Sequence, residues 1–233
     1  MYRTHLRKIA KHVEDLFDGF QLGDLEAIPT IEQLLRRYAE ALTPWAEATA
    51  ARMLEDLNRR DEQAWMQQAQ EMSRALRDEL RRAPTGETMR ALMAEQVTLI
   101  KSIPLEAAKR VHRLTIEALE DSTRAAQISK AIQESGEVAK SRADLIARTE
   151  VSRAATSLTE ARARAVGSTH YVWRTSGDSD VRPSHRALNG KIFAWDSPPM
   201  INEGTEKKPN FVQHHPGQFP NCRCYPEPII SED

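Results

Sequence analysis

The chain has 233 residues, of which 40% are hydrophobic, and its 33 basic and 34 acidic side chains give a formal net charge of -1. This composition excludes a disordered chain, because the apolar content suffices for a buried core. It also excludes a global charge that attracts nucleic acid or anionic lipid. Residues 1–20 carry charges throughout, and no apolar run approaches the roughly 18 residues that span a bilayer. We therefore expect folding in a cytoplasm and no membrane partner.

Apolar residues at steps of three and four predict amphipathic helices through the first part of the chain. The first helix is predicted over residues 5–20. Thr30 and Gln33 have the spacing of a capping box, which predicts the start of a second helix that Pro44 should kink or break. Residues 45–82 contain no glycine and are rich in good helix formers, so they favour one long helix.

The middle of the chain is also predicted to be helical. The helical period continues up to Pro104, which suits the first turn of a new helix. A shorter segment through Ile128 and Ile132 should stop near Gly136, a suitable C-terminal cap. A last helix is predicted over residues 138–166, with an apolar stripe of small residues that permits close packing.

The pattern changes after Gly167 to short strands and loops. Residues 171–174 and 191–195 have the β-branched and aromatic content of strands. Residues 197–210 are rich in proline and polar residues and predict an exposed loop. Cys224 begins a final strand that the prolines after it should keep at a sheet edge.

These elements predict an α+β protein whose N-terminal two thirds are mostly α-helical. A helical region is predicted over residues 1–136 and a small α+β module over residues 137–233. Within the module, the helix over residues 138–166 precedes strands and loops over residues 167–233.

Histidine and cysteine, the side chains that zinc prefers, are concentrated near the end of the chain. The Cys-x-Cys spacing differs from the usual Cys-x2-Cys knuckle, and a fully extended backbone separates the two Cβ atoms by about 7 Å, too far for a disulfide. Either a structural zinc ion or packed, hydrogen-bonded side chains fit this pattern. The candidate zinc ligands are His185, His214, His215, Cys222 and Cys224.

A catalytic use of the same segment would pair Asp178 or Asp180 with His185 as a base and its orienting group, or would use a metal with an open position. The Gly-Asp-Ser-Asp run is also typical of a polar turn, and Arg182 is a suitable ion-pair partner for Asp180. The sequence has no nucleophile elbow, phosphate-binding loop or His-Glu-x-x-His motif. Catalysis is therefore the weaker interpretation.

Basic residues between positions 101 and 164 are the candidate contacts to DNA. They are interspersed with acidic residues, which is typical of a solvated, salt-bridged helix face. A DNA-contacting surface stays an alternative here.

An ordered set of short motifs runs through residues 147–224. The set consists of Ala-Arg-Thr-Glu at 147–150, Tyr-Val-Trp-Arg-Thr at 171–175, Asp178, Val181-Arg182, His185, Leu-Asn-Gly at 188–190, Phe193, Pro216-Gly217 and Asn-Cys-Arg-Cys at 221–224. As a whole, the set resembles the Mu F-like phage head morphogenesis family, the minor head proteins of tailed bacteriophages. Residues 1–136 carry no matching motif.

The resemblance implies a virion component without enzymatic activity, located at the portal vertex or in the capsid interior and made in the host cytoplasm. The implied partners are the portal protein and a capsid or scaffold protein, with packaged DNA as a further contact, and residues 1–136 would be the docking region. The implied role is head assembly or the handling and ejection of packaged DNA; the alternative is a metal-dependent hydrolase or nuclease carried in the virion. The family pattern marks Arg148, Glu150, Trp173, Asp178, Arg182, His185, Gly190, Cys222, Arg223 and Cys224.

Overall fold

The computed structural model describes residues 1–18, 28–68, 74–120, 130–132 and 134–230. The helices are α1 (Tyr2–Asp18), α2 (Ile28–Ala41), α3 (Thr43–Gln68), α4 (Arg74–Arg82), α5 (Thr85–Glu120), α6 (Ser135–Ala165) and α7 (Pro183–Arg186). The strands are β1 (His170–Arg174), β2 (Ile192–Ala194), β3 (Met200–Asn202), β4 (Phe211–Gln213) and β5 (Tyr225–Ile229). The predicted α+β class is confirmed. None of the described helices has the length and apolar character needed to cross a bilayer.

The chain forms two compact units that each combine two separate stretches of sequence. The first unit contains residues 1–51 and 93–147, and the second contains residues 52–92 and 148–233. The predicted division after residue 136 followed composition along the chain, whereas these units follow contacts in space. The boundary at residue 136 between a docking region and the α+β module therefore stays a prediction.

The first unit is helical, and α1 shows how its core forms. The apolar stripe predicted for this helix is buried, because its members recur on one helix face. Its buried members are Leu6, Ile9, Val13 and Phe17. On the polar side, Arg3 and Arg7 both donate to the carboxylate of Asp144 on α6, with Nε to Oδ1 distances of 2.8 Å from each arginine. These hydrogen bonds, from Arg3 first and Arg7 next, hold the pKa of Asp144 well below its usual value.

Two predictions about helix ends in this unit are wrong. Pro104 lies inside the continuous helix α5 and does not start a new one. A proline inside a helix costs about 3 kcal/mol, and the fully buried Ile100 and Ile103 beside it supply packing that offsets this cost. Gly136 does not cap a helix end but lies in the first turn of α6. An added Cβ there would approach Glu14 Cβ to 3.0 Å, so the glycine permits close packing against α1.

Other predicted helix boundaries also shift. Thr30 lies within α2, which begins at Ile28, and is therefore not its N-terminal cap. Pro44 occupies the first turn of α3, as expected for a proline that separates two helices. The long helix predicted over residues 45–82 is described as α3 and α4, and residues 69–73 between them lie outside the described residues, as does Ile128.

The second unit contains a three-stranded antiparallel sheet in the order β2-β1-β5. Tyr171 pairs with Phe193 on one side of β1, and Trp173 pairs with Pro226 on the other. The predicted edge position of the last strand is confirmed. The buried aromatic side chains of this unit pack with residues from α3, α4 and α6 in one cluster. Its members are Trp65, Leu80, Ala163, Tyr171, Trp173, Trp195, Ile201, Cys222 and Cys224.

The loop predicted over residues 197–210 is wrong in part, because it contains β3, which pairs with β4 in a separate two-stranded sheet. Burial of one side chain and three hydrogen bonds stabilise this hairpin. Ile201 at its centre is buried. The side-chain oxygen of Asn202 accepts hydrogen bonds from the backbone of Gly204 and Asn210, and the amide of Glu203 donates to the carbonyl of Asn210. Local polar composition therefore concealed a strand that a long-range contact stabilises.

Candidate functional site

Four segments of the second unit bring histidine, glutamate and cysteine side chains together. Helix α7, which starts with Pro183, carries His185. Glu203 directly follows β3, and His214 directly follows β4. Cys222 and Cys224 lie just before β5. We refer to these five residues as the buried His/Cys/Glu cluster.

Two residues in left-handed backbone conformations shape the segment that carries the cysteines. Gly217 has φ 83° and Asn221 has φ 58°, values at which glycine and asparagine are the favoured residues. The amide of Asn221 donates to Thr149 Oγ1 on α6, and Thr156 Oγ1 donates to the carbonyl of Pro216. These contacts fix the segment against α6. Both cysteines are buried, whereas Arg223 between them is exposed.

His185 lies at the centre of the cluster and uses both ring nitrogens. Its Nδ1 is 3.4 Å from Cys222 Sγ and 3.6 Å from Cys224 Sγ. Its Nε2 is 2.5 Å from Glu203 Oε1. The ring of Trp173 meets the imidazole edge-on, with centroids 5.4 Å apart. The side chain is 2% exposed, so these contacts replace solvent almost completely.

Glu203 joins the two histidines. Its Oε1 also lies 2.8 Å from His214 Nε2, and its side chain is 0% exposed. Its Oε2 has no hydrogen-bond partner among the described residues and lies 3.8 Å from Arg182 Nε. Arg182 in turn donates to the carbonyl of Pro220 and lies over the ring of Phe219. A buried carboxylate is therefore compensated by two imidazoles and one guanidinium.

The tautomer of His214 follows from its partners. Nδ1 of His214 is 2.9 Å from the carbonyl oxygen of His215, which only accepts, so Nδ1 carries a proton. A neutral ring would then have no proton on Nε2 for Glu203. Both contacts are hydrogen bonds only when His214 is a cation or Glu203 holds a proton.

The pKa shifts favour the charged forms of Cys222, His185 and Glu203 and the neutral form of Cys224. A hydrogen bond from the Cys224 thiol, helped by His185 and the Gly217 amide, lowers the pKa of Cys222 to about 4. Donation to Cys222 and burial raise the pKa of Cys224. Burial opposes the charged forms of His185 and Glu203, but their hydrogen bonds outweigh it, so the pKa of His185 is raised and that of Glu203 is lowered.

His215, the remaining candidate ligand, lies away from the cysteines. Its Nδ1 is 3.1 Å from the Tyr171 hydroxyl, and its Nε2 is 3.9 Å from Glu160 Oε2. Burial, the largest cause, lowers the pKa of His215. Burial also raises the pKa of Tyr171, with a further contribution from the charge of Glu160. Neither group of three side chains with metal-ligand spacing among the described residues includes His215.

The aspartates considered as catalytic groups are also placed elsewhere. Arg223 Nη2 lies 2.8 Å from Asp178 Oδ1 and 3.4 Å from Asp180 Oδ2. The amide of Asp180 donates to the side chain of Asp178, which is the geometry of a polar turn. His185 instead has Glu203 as its carboxylate partner. The structure thus gives the histidine an orienting group that differs from the predicted ones.

The family described as Phage Mu protein F like protein matches residues 109–226 of the chain. The chain belongs to this family. The resemblance seen in the motifs is thereby confirmed, and the matched Mu F-like segment contains the whole cluster. An uncharacterized protein of Haemophilus influenzae is 32% identical over 155 residues, which cover 66% of this chain and 32% of that relative. The chain therefore spans about a third of the relative's length. No solved structure matches the chain.

The remaining Mu F-like motif residues support the cluster or lie beside it. Glu150 is buried on α6, with one oxygen 3.8 Å from Arg153 Nη1, whereas Arg148 is exposed. The amide of Gly190 donates to the carbonyl of Trp173 and so connects α7 to the central strand. Gly190 thus lies beside the cluster, whereas Arg148 and Glu150 lie on α6 outside it.

Glu203 is the main residue of the site that the sequence did not reveal. Its neighbours form two short strand-like triplets, Met-Ile-Asn at 200–202 and Phe-Val-Gln at 211–213, on either side of a polar turn. That hairpin pattern is the signal that would have placed Glu203 and His214 on one element. Pro209 and the charged residues between the triplets masked it.

Proposed function

We propose that this chain is a minor head protein of a tailed bacteriophage that acts in head morphogenesis, next to the portal protein and at the inner face of the capsid. The observation that carries the proposal is the Mu F-like match over residues 109–226. Residues 1–108 lie outside that match, and the predicted docking region over residues 1–136 selects a particular portal, capsid or scaffold protein.

Charge pairing in the helical region favours protein partners over DNA. Several of its basic side chains have acidic partners within the same unit. Arg36 pairs with Glu32, and Lys109 pairs with Glu106. Paired cations release few counterions on meeting phosphate, so they contribute little to DNA affinity. Packaged DNA is therefore the secondary partner in this proposal.

The β3–β4 hairpin presents an exposed apolar surface suited to a protein contact. Met200 and Phe211 are 61% and 64% exposed. Cross-strand pairs share a face, and Met200 pairs with Gln213 while Phe211 pairs with Asn202, so all four lie on one side of the hairpin. Large apolar side chains on such a face are typical of interaction sites. We assign this hairpin face to contact with the portal or capsid.

Burial of the His/Cys/Glu cluster favours a structural role over hydrolysis. A hydrolytic site needs open access for substrate and water, whereas the side chains of His185 and Glu203 are 2% and 0% exposed. The hydrolase alternative predicts metal-dependent cleavage of DNA or ester substrates by the purified chain. We expect no turnover above that of the Cys222→Ser variant.

Particle composition tests the proposal. In a phage that depends on this chain, we expect the wild-type protein in virions or procapsids, with labelling beside the portal in electron micrographs. Its absence from both particles would overturn the assignment. The double variant Met200→Ser, Phe211→Ser should enter particles several-fold less, and Gln213→Ser on the same face is the matched control. Equal incorporation of both variants would remove the hairpin from the contact.

A further inference from the structure

We propose that Cys222, Cys224 and His185 bind one zinc ion, with His185 coordinating through Nδ1. Glu203 would orient His185 from the opposite side of the ring. The ion would hold α7 and the segment before β5 together.

The distances between the donor atoms fit such an ion. Zinc binds thiolate sulfur at about 2.3 Å and imidazole nitrogen at about 2.0–2.1 Å, so tetrahedral angles separate the two donors by about 3.6 Å. Nδ1 of His185 lies 3.4 Å from Cys222 Sγ and 3.6 Å from Cys224 Sγ. All three donor atoms lie within 4.8 Å of one another. The two nitrogen-to-sulfur distances thus already match those between ligands of one tetrahedral zinc ion.

The second group with ligand chemistry, formed by His185, Glu203 and His214, does not fit an ion. Nitrogen and oxygen ligands of one zinc ion would be separated by about 3.4 Å. The observed distances from Glu203 Oε1 are 2.5 Å to His185 Nε2 and 2.8 Å to His214 Nε2. These are hydrogen-bond lengths with no room for a metal between the atoms. The metal position is therefore on the sulfur side of His185.

Glu203 then has the role of a carboxylate that supports a metal-bound histidine. Histidine ligands usually donate their second ring N–H to a carboxylate or carbonyl, which fixes the tautomer. Glu203 Oε1 accepts from His185 Nε2, and His214 braces the same oxygen. The amide of Gly217 lies 3.4 Å from Cys222 Sγ and donates to it, which suits a thiolate.

Charge balance also favours the ion. Two thiolates and one Zn²⁺ are neutral together, and the carboxylate of Glu203 has the guanidinium of Arg182 with its Nε 3.8 Å from Oε2. The buried region then carries no net charge, which avoids the desolvation penalty of an unpaired ion. Among the described residues no fourth His, Cys, Asp or Glu completes the group.

Metal content of the purified full chain tests the proposal. The protein should be expressed in zinc-supplemented medium and purified without a polyhistidine tag, and its zinc measured by elemental analysis and native mass spectrometry. We expect one zinc ion per chain in the wild type and its loss in Cys222→Ser and Cys224→Ser. The matched control is His215→Gln, which alters the neighbouring histidine outside the group and should keep the ion.

Two further measurements do not use the cysteine variants, so they remain informative if those variants fail to fold. Cobalt loaded in place of zinc should give thiolate-to-metal absorption and the intense visible bands of tetrahedral coordination. Glu203→Gln should weaken zinc affinity about 10–100-fold while still binding one ion at saturation. Wild-type protein without zinc, a disulfide between the cysteines, or full zinc content in Cys222→Ser would overturn the proposal. These readouts do not depend on particle assembly.

Discussion

The two units of this protein are stabilised in different ways. The first unit buries aliphatic stripes such as Leu6, Ile9 and Val13 and keeps its ion pairs, such as Arg3 with Asp144, at the surface. The second unit buries polar groups among aromatic side chains, and its centre is the His/Cys/Glu cluster. Exposed ion pairs contribute little to stability, whereas breaking a buried polar network is costly. Substitutions of polar side chains in the first unit should therefore reduce stability less than substitutions in the cluster of the second unit.

The largest expected effect is at Glu203 in the second unit. Glu203→Ala leaves two buried histidines without their shared carboxylate and should reduce the free energy of unfolding by about 3–5 kcal/mol. The measurement is denaturant unfolding of the full chain, with hydrogen exchange read separately for peptides from each unit. Glu206→Ala, which removes an exposed carboxylate from the same hairpin, is the control. Equal effects of the two variants would contradict a special role for Glu203.

A smaller effect is expected at Gly217. Gly217→Ala forces a left-handed backbone on alanine, which costs about 1–2 kcal/mol, and places Cβ 2.8 Å from Thr156 Oγ1 and 3.0 Å from the Cys224 carbonyl oxygen. Gly177→Ala pays only the backbone cost, because no atom lies within 4 Å of its added Cβ. The difference between the two free energies of unfolding measures close packing beside the cysteines. If the two variants lose the same stability, the segment is less tightly packed than the structure indicates.

The smallest of the three effects is expected in the first unit, at Asp144. Because hydrogen bonds from Arg3 and Arg7 hold its folded pKa below the ordinary 3.8, the carboxylate stabilises the fold above that pH. This contribution is lost as the pH falls from about 3.8 toward the folded pKa. Asp144→Asn should therefore flatten the acid side of the stability profile and reduce its salt dependence. Glu137→Gln, at an exposed pair on the same helix, is the control.

Local patterns predicted much of the fold and part of the site. Helical periodicity located the buried face of α1, and proline spacing placed β5 at a sheet edge. The Pro104 and Gly136 predictions failed because both rested on local propensity, which packing of Ile100 and the approach to Glu14 override. The strand β3 was missed for the same reason, since its pairing partner lies across a polar turn.

By itself, the sequence determined the α+β class and the likeness to the Mu F-like family, because periodicity and ordered motifs are properties of neighbouring residues. It also named His185, Cys222 and Cys224 as candidate ligands. Only the tertiary structure decided that these three meet, that His215 turns to Tyr171, and that Glu203 joins His185 to His214. Those contacts link residues up to 44 positions apart. No local pattern encodes such distances, because chain folding alone brings the side chains together.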